Sequence, residues 1–283
     1  MQYGGFAKNL LSDNPPSLST PNQISDKIEL MAESCVPQSP PFLKIFPNRR
    51  SPLMPKLIDL TRTLVPGMPV YPGDPGFESE TVATYAKDGF LTSRWKMVSH
   101  LGTHIDSPLH YVPRGWSIDK IPLETFYGPA SVISLAEPLK KTRGTPAKIT
   151  PEMLEKYRDA FKKGERILIH TGWEKKYGDS QYFTSFPSLT VEAAQWIVNH
   201  NMKLLGFDTP SVSSIRLEDE NAASEDAACH RILMRDRPPV IILEGLINLD
   251  QLPVWPAKFM FSCFPWKIEG ADGCPVRAVA ILG

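Results

Sequence analysis

The chain has 283 residues, enough to bury a core without disulfide or metal staples, so small disulfide-framework folds are excluded. Hydrophobic residues make up 42% and charged residues 22%, which excludes a wholly disordered chain and a coiled coil. Thirty-one basic residues balance thirty-one acidic ones, leaving no global field to gather nucleic acid or anionic lipid. The partner expected from this balance is a small molecule, with neither nucleic acid nor membrane. No apolar stretch approaches the roughly 18 residues of a membrane span. Cys35, Cys229, Cys263 and Cys274 show no CxxC spacing, as expected for reduced thiols of a cytoplasmic protein.

Residues 1–53 differ from the rest. Eight prolines and seven serines fall there, and the apolar positions are scattered rather than periodic. Such a segment cannot bury enough surface to offset its ordering entropy, so a flexible Pro/Ser-rich extension is predicted, followed by a single domain over 54–283. Met1 to Ser12 lacks the basic start, long apolar run and small-residue cleavage site of a secretory signal. Met54-Pro-Lys-Leu-Ile-Asp-Leu60 reads as an ordinary bacterial start running directly into a strand, so the extension is expected to be a tail or an over-extended start.

In the body of the chain, Leu57 to Leu64 is β-rich and is closed by the turn-forming run Pro69-Val-Tyr-Pro-Gly-Asp-Pro75. Thr150 followed by Pro151 makes a helix start, with Met153, Leu154, Tyr157 and Phe161 at helical spacing until Gly164 ends it. Arg166 to Thr171 reads as a buried strand, Val191 to His200 as an amphipathic helix and Lys203 to Asp208 as another strand. Ser224 is placed to cap a helix through Arg235. Val240 to Glu244 is too short an aliphatic run for anything but a strand, and strands near Phe259 to Phe264 and Val276 to Leu282 complete the chain. The order β-α-β-α-β predicts an α/β domain with parallel pairing in its second half, after an antiparallel, turn-rich first half. Ligand crevices in such sheets open at the carboxyl ends of the strands, where Asp208 and Glu244 fall. A carboxylate directly after an apolar run is also a common turn former or helix cap.

The chemistry is concentrated in His100-Leu-Gly-Thr-His-Ile-Asp-Ser-Pro-Leu-His110, where three histidines and an aspartate all occupy even positions. Gly102, Thr103 and Pro108 oppose a helix, so the segment is extended or turning. On a strand, His104 and Asp106 share one face about 6.6 Å apart along the chain, near enough to converge on one ion. His100 reaches the same ion only if the chain bends, and Gly102 supplies the bend. Imidazole and carboxylate together suit zinc or manganese, and Asp106 has two oxygens with which to bridge two ions. His110, displaced beyond Pro108, suits a different task, that of an acid or base.

His100-x-Gly102-Thr103-His104-x-Asp106-x-Pro108-x-His110 resembles the HxGTHxDxPxH motif of the cyclase-type metal-dependent hydrolases, the family of bacterial-type kynurenine formamidase and isatin hydrolase. Tyr71-Pro-Gly-Asp74, Gly206-Phe-Asp-Thr-Pro-Ser211, His230-Arg231, Glu244-Gly245-Leu246 and Gly273-Cys-Pro-Val-Arg-Ala278 are similar to further landmarks, so the resemblance covers about residues 56–283. It implies an α/β fold, a mixed barrel-like sheet with flanking helices, assembled as a homodimer or higher oligomer. It implies that His100, His104 and Asp106 bind a first Zn2+ or Mn2+ ion, that His230 and Glu244 help to hold a second, and that His110 is the general acid/base. Taken alone, His230 reads first as a buried or capping histidine and Glu244 as a strand-end carboxylate. The stretch Ser213 to Ser224 is longer and more acidic than the formamidase pattern, and it bears on substrate choice.

The activity that follows is hydrolysis of an amide C–N bond, as in an aryl formamide such as N-formylkynurenine. Opening of a lactone or cyclic imide and a non-catalytic metal-binding role are the alternatives. A purely structural zinc site would close its coordination with four protein ligands and need no free base, which speaks against the last. No GxSxG elbow occurs, which speaks against a serine hydrolase. Trp95, Trp173, Tyr177, Tyr182 and Phe183 are candidates to line a pocket for a flat ring, whereas His170 and His200 read as structural.

Overall fold

The structure, a computed structural model, describes residues 54–142, 146–213, 220–235 and 238–283. The extension predicted over residues 1–53 and most of the acidic stretch after Ser213 lie outside the described residues. In chain order the strands are β1 (Lys56–Asp59), β2 (Glu78–Ala83), β3 (Thr92–Lys96), β4 (His104–Asp106), β5 (Tyr127–Ser134), β6 (Lys148–Ile149), β7 (Arg166–His170), β8 (Ser188–Leu189), β9 (Leu204–Phe207), β10 (Ile241–Glu244), β11 (Phe259–Ser262), β12 (Gly273–Pro275) and β13 (Val279–Leu282). The helices are α1 (Tyr85–Asp88), α2 (Ala136–Lys140), α3 (Pro151–Glu155), α4 (Val191–Val198) and α5 (Glu220–Arg235).

Nine of these strands form one curled, half-barrel mixed sheet in the order β1-β13-β11-β5-β7-β9-β10-β4-β12. The centre β5-β7-β9-β10 is parallel, as the alternating elements require, and antiparallel strands flank it on both sides. β1 pairs with the C-terminal β13 and not with a neighbour in sequence, so the antiparallel pairing predicted for the first half is long-range. The exception is β2-β3, a separate two-stranded ribbon.

Alternation along each central strand divides the core in two. Ile167 and Ile169 of β7, Leu205 and Phe207 of β9 and Ile242 of β10 pack against the side chains of α3, α4 and α5. Leu168, Leu204, Ile241 and Leu243 point the other way, together with Ile105 of β4. Burying each such aliphatic side chain contributes about 1.5–3 kcal/mol, which makes the register expensive to shift. The same parity places Glu244 in phase with Ile242, and His104 and Asp106 opposite in phase to Ile105.

Several sequence boundaries move for identifiable reasons. The first strand stops at Asp59 because Leu60 then directs its N–H to Ala278 and its carbonyl to Ile247, away from a regular ladder. The helix begun at Pro151 ends at Glu155: Tyr157 takes φ −114°, ψ 17°, and its hydroxyl donates to Ser134 O at 2.9 Å. The helix that carries His230 starts at Glu220, so Ser224 is interior to it and is not its cap. The last strand is regular only from Val279, because Val276 donates to Thr103 O and draws the preceding segment toward β4. Helix α4 keeps its predicted start, with Thr190 Oγ1 accepting from Ala193 N at 3.1 Å.

Candidate metal centre

Strand pairing assembles the centre. β4 lies antiparallel to β10, with Asp106 opposite Ile242 and His104 opposite Glu244. His104, Asp106 and Glu244 therefore stand on one face of the sheet, and α5 lays His230 over that face. Gly102 takes φ +63°, and a Cβ there would meet Leu64 Cδ2 at 2.7 Å, so the bend ahead of β4 requires glycine. That bend returns His100 to Asp106, with Nδ1 and Oδ1 2.7 Å apart.

The donor atoms converge closely. His104 Nε2 lies 3.2 Å from Asp106 Oδ1 and 3.5 Å from Glu244 Oε2. His230 Nε2 lies 3.7 Å from Asp106 Oδ2 and 3.6 Å from Glu244 Oε1. Each of these two imidazoles turns its other nitrogen to a backbone carbonyl: His104 Nδ1 to Gly102 O at 3.2 Å and His230 Nδ1 to Asp226 O at 2.9 Å. That arrangement fixes the tautomer and aims both Nε2 atoms at the carboxylates. His104, Asp106, His230 and Glu244 are all buried. Zinc bonds of about 2.0–2.2 Å in tetrahedral geometry set ligand atoms roughly 3.4 Å apart, so this donor set fits a divalent cation.

Electrostatics point the same way. Burial opposes charge on Asp106, yet His100 and His104 hold its carboxyl well below the ordinary range. Glu244 is pushed up by burial and then by Asp106. Burial disfavours charge on His100, but Asp106 and Asp272 raise it to about 10. His230 is likewise raised, against its burial, by Asp226 and Glu244. Two buried carboxylates are thus balanced here by shared protons, a service that a divalent ion performs as well.

All six sequence-predicted residues come together, although the grouping differs from a simple split between two ions. One cluster is His104, Asp106 and Glu244, and another is His100, Asp106 and His110, with Asp106 common to both. The His110 ring stacks on His100, with centroids 3.9 Å apart, and its Nδ1 lies 3.7 Å from Asp272 Oδ2. Burial and the neighbouring His100 and His230 lower His110 to about 4, against the opposing pull of Asp106 and Asp272.

Three supporting residues escaped the sequence reading. Asp272 accepts from His100 Nε2 at 3.1 Å and from Ser99 Oγ at 2.9 Å. Asp226 accepts the Tyr111 hydroxyl at 2.8 Å, and Tyr111 stacks on His230 at 4.2 Å. Only Asp226 carried a signal, four residues ahead of His230 on a helix. Asp208 is buried but lies away from the cavity, accepting from Thr171 and Gly172, so its role is to hold a turn. His170 and His200 contact Ser134 and Trp196, remote from the cluster.

The cluster forms one end of a cavity of about 250 Å³ whose walls include Tyr71, Tyr177, Tyr182 and Phe183. Of the five aromatic candidates, Tyr177, Tyr182 and Phe183 line it. Trp173 stands behind, donating Nε1–H to Tyr182 O at 2.9 Å, and Trp95 lies on exposed β3. A buried set of imidazoles and carboxylates beneath a ligand-sized cavity in an α/β sheet is the arrangement that a metal-dependent hydrolase requires.

The Cyclase family model matches residues 58–214, and the chain belongs to that family. Kynurenine formamidase of Geobacillus thermodenitrificans is 30% identical over 224 residues, which cover 78% of this chain and 95% of that protein. The kynurenine formamidase of Salinibacter ruber is 28% identical over 225 residues, covering 79% and 96%. Isatin hydrolase A from Labrenzia aggregata shares the fold, with a TM-score of 0.69 at 24% identity over 92% of this chain and 99% of its own.

Proposed function

We propose that the protein hydrolyses the C–N bond of an aryl formamide, with N-formylkynurenine as the representative substrate. The reading assigns His100, His104, Asp106, His230 and Glu244 to one or two Zn2+ or Mn2+ ions and His110 to general acid/base catalysis. The observation that carries it is the convergence of three imidazoles and two carboxylates at one end of an aromatic-walled cavity, with a further imidazole stacked beside them. Similarity to the two kynurenine formamidases supports the choice of substrate.

A bound ion supplies Lewis-acid polarisation of the formyl carbonyl and lowers the pKa of water. His110 takes the proton from the attacking water as its oxygen bonds to the formyl carbon. It then delivers that proton to the departing nitrogen as the C–N bond breaks, giving formate and the arylamine. Asp272 holds His100, and Asp226 with Tyr111 holds His230, so the donor set is fixed before substrate arrives. The tyrosines and Phe183 exclude bulk water from the ring-binding part of the cavity.

We place the activity in residues 54–283, acting as a homodimer or higher homo-oligomer. The exposed, stacked pair Trp95 and Trp266 supports that assembly. A cytoplasmic location fits the free, buried thiols of Cys229, Cys263 and Cys274; no helix among the described residues is long and apolar enough to cross a membrane.

Metal-loaded protein is expected to release formate from N-formylkynurenine, and chelation to abolish the release. Replacing His110 with Ala should leave the metal content unchanged while kcat falls by about 10²–10⁴. Loss of the ion in that variant would reassign His110 as a ligand, and a fully loaded protein that releases no formate would overturn the reading.

A further inference from the structure

Arg62 has no part in the reaction described above, yet the structure ties it to the site. Its backbone N–H donates to Thr103 Oγ1 at 2.9 Å, and Thr103 directly precedes His104. Thr103 Oγ1 in turn donates to Gly245 O at 2.7 Å, next to Glu244, so the residue is fixed to both strands that carry the carboxylates. Its guanidinium carbon sits 3.6 Å above the centre of the Tyr177 ring and 5.9 Å from that of Tyr182. The platform is itself held: the Tyr177 hydroxyl donates to Pro69 O at 3.1 Å, and Tyr177 and Tyr182 pack edge to face at 5.1 Å.

What Arg62 lacks is a counterion. Arg94, Arg158 and Arg277 are each paired with a carboxylate, and buried Arg166 donates to the backbone carbonyls of Thr125 and Tyr127. Among the described residues no carboxylate pairs with Arg62, and its Nη2 is buried without a hydrogen-bond partner although the side chain lines the cavity. A part-buried guanidinium with no carboxylate beside it and one buried nitrogen without a partner carries a desolvation cost that an anionic group entering the cavity would offset. The Tyr177 ring centre lies 3.6 Å from the guanidinium carbon, and the side chain forms part of the cavity wall, where a carboxylate is the group whose geometry best suits a guanidinium donor.

We propose that Arg62 is a specificity-determining residue that pairs with a carboxylate of the substrate, so that the site prefers aryl amides bearing a carboxylate to those that lack one. The inference rests on the hydrolase reading given above and narrows its substrate class.

The test uses the metal-loaded full chain and two formamides of the same ring: N-formylkynurenine, which bears the carboxylate, and 2-formamidoacetophenone, which does not. In Arg62→Gln the ratio of kcat/KM between the substrate with the carboxylate and the one without it is expected to fall about ten- to hundredfold, mainly through KM, the range of a charge-assisted hydrogen bond. Arg62→Lys should fall between. Equal losses on both substrates, or no change in the ratio, would overturn the assignment while leaving the hydrolase reading intact. A second measurement does not depend on turnover. Calorimetric titration with kynurenine and with 2-aminoacetophenone should show the Kd of kynurenine weakened by a similar factor in Arg62→Gln, at unchanged thermal stability. If the wild type cleaved neither formamide, the reaction assigned to the site would fail, and the titration would still decide Arg62: kynurenine that binds both proteins equally, or neither, rejects it.

Discussion

Across β4 from Asp106 stands Gly273, and its missing side chain is what leaves room for the His100 ring. A Cβ at that position would meet His100 Cε1 at 2.6 Å and Nε2 at 2.9 Å. The ring has little freedom to retreat, being held by Asp106 on one nitrogen and Asp272 on the other. Gly273→Ala is therefore expected to displace His100, weakening metal affinity about 10–100-fold, the usual cost of disturbing the groups that orient a ligand. Metal titration followed by elemental analysis checks this, and circular dichroism should show the fold retained; undiminished affinity would mean that His100 is not a ligand. At this scale the legible part of the site was the part consecutive in sequence. His100, His104, Asp106 and His110 declare themselves by spacing within eleven residues. His230 and Glu244 needed the family resemblance, and Asp272 gave no signal, because its role exists only once β12 lies beside β4.

The elements of the parallel centre were readable because each is a short aliphatic run bounded by turn or cap residues. Their ends were not, because tertiary hydrogen bonds set them, as Tyr157 does when it leaves α3 to reach Ser134. Asp208 belongs to this scale. It follows β9, and its carboxyl accepts from the Thr171 N–H at 2.9 Å, the Thr171 hydroxyl at 2.6 Å and the Gly172 N–H at 2.7 Å, joining the ends of β9 and β7. Burial nevertheless pushes it up to about 6, from an unfolded value near 3.9. Between about pH 4 and pH 6 the folded chain then holds a proton that the unfolded chain has released, so stability falls as pH rises through that window, by up to about 3 kcal/mol. Urea unfolding of the wild type and of Asp208→Asn across pH 4–7 isolates the contribution. The variant should be less stable at every pH but should lose this part of the slope; a difference between the two that does not vary with pH would mean that the carboxyl is ionised throughout.

For the whole molecule, the fold class follows from the order of elements, but the way the surface is used does not. Every residue of β3, and all of β2 but its last, is exposed, although an isolated two-stranded ribbon is marginally stable at best in water. Trp95 of β3, 56% exposed, stacks on Trp266, 54% exposed, with centroids 6.2 Å apart. Phe264, two residues from Trp266, stacks on Tyr127 at 6.4 Å, and both are also exposed. This aromatic strip, continued at Ile268, is the kind of surface that monomers rarely leave in water. Sequence could not reveal it, since the aromatics come from separate segments, β3, β5 and the stretch after β11, and look the same whether their cover is intramolecular or a second copy. A homodimer that buries the strip would also brace the ribbon. Trp95→Asp combined with Trp266→Asp should therefore convert the protein to monomers in analytical ultracentrifugation while the metal content per chain is unchanged, because neither side chain lines the cavity that holds the cluster. A wild type that sediments as a monomer at micromolar concentration would refute the assembly, and a double variant that stays dimeric would move its surface elsewhere.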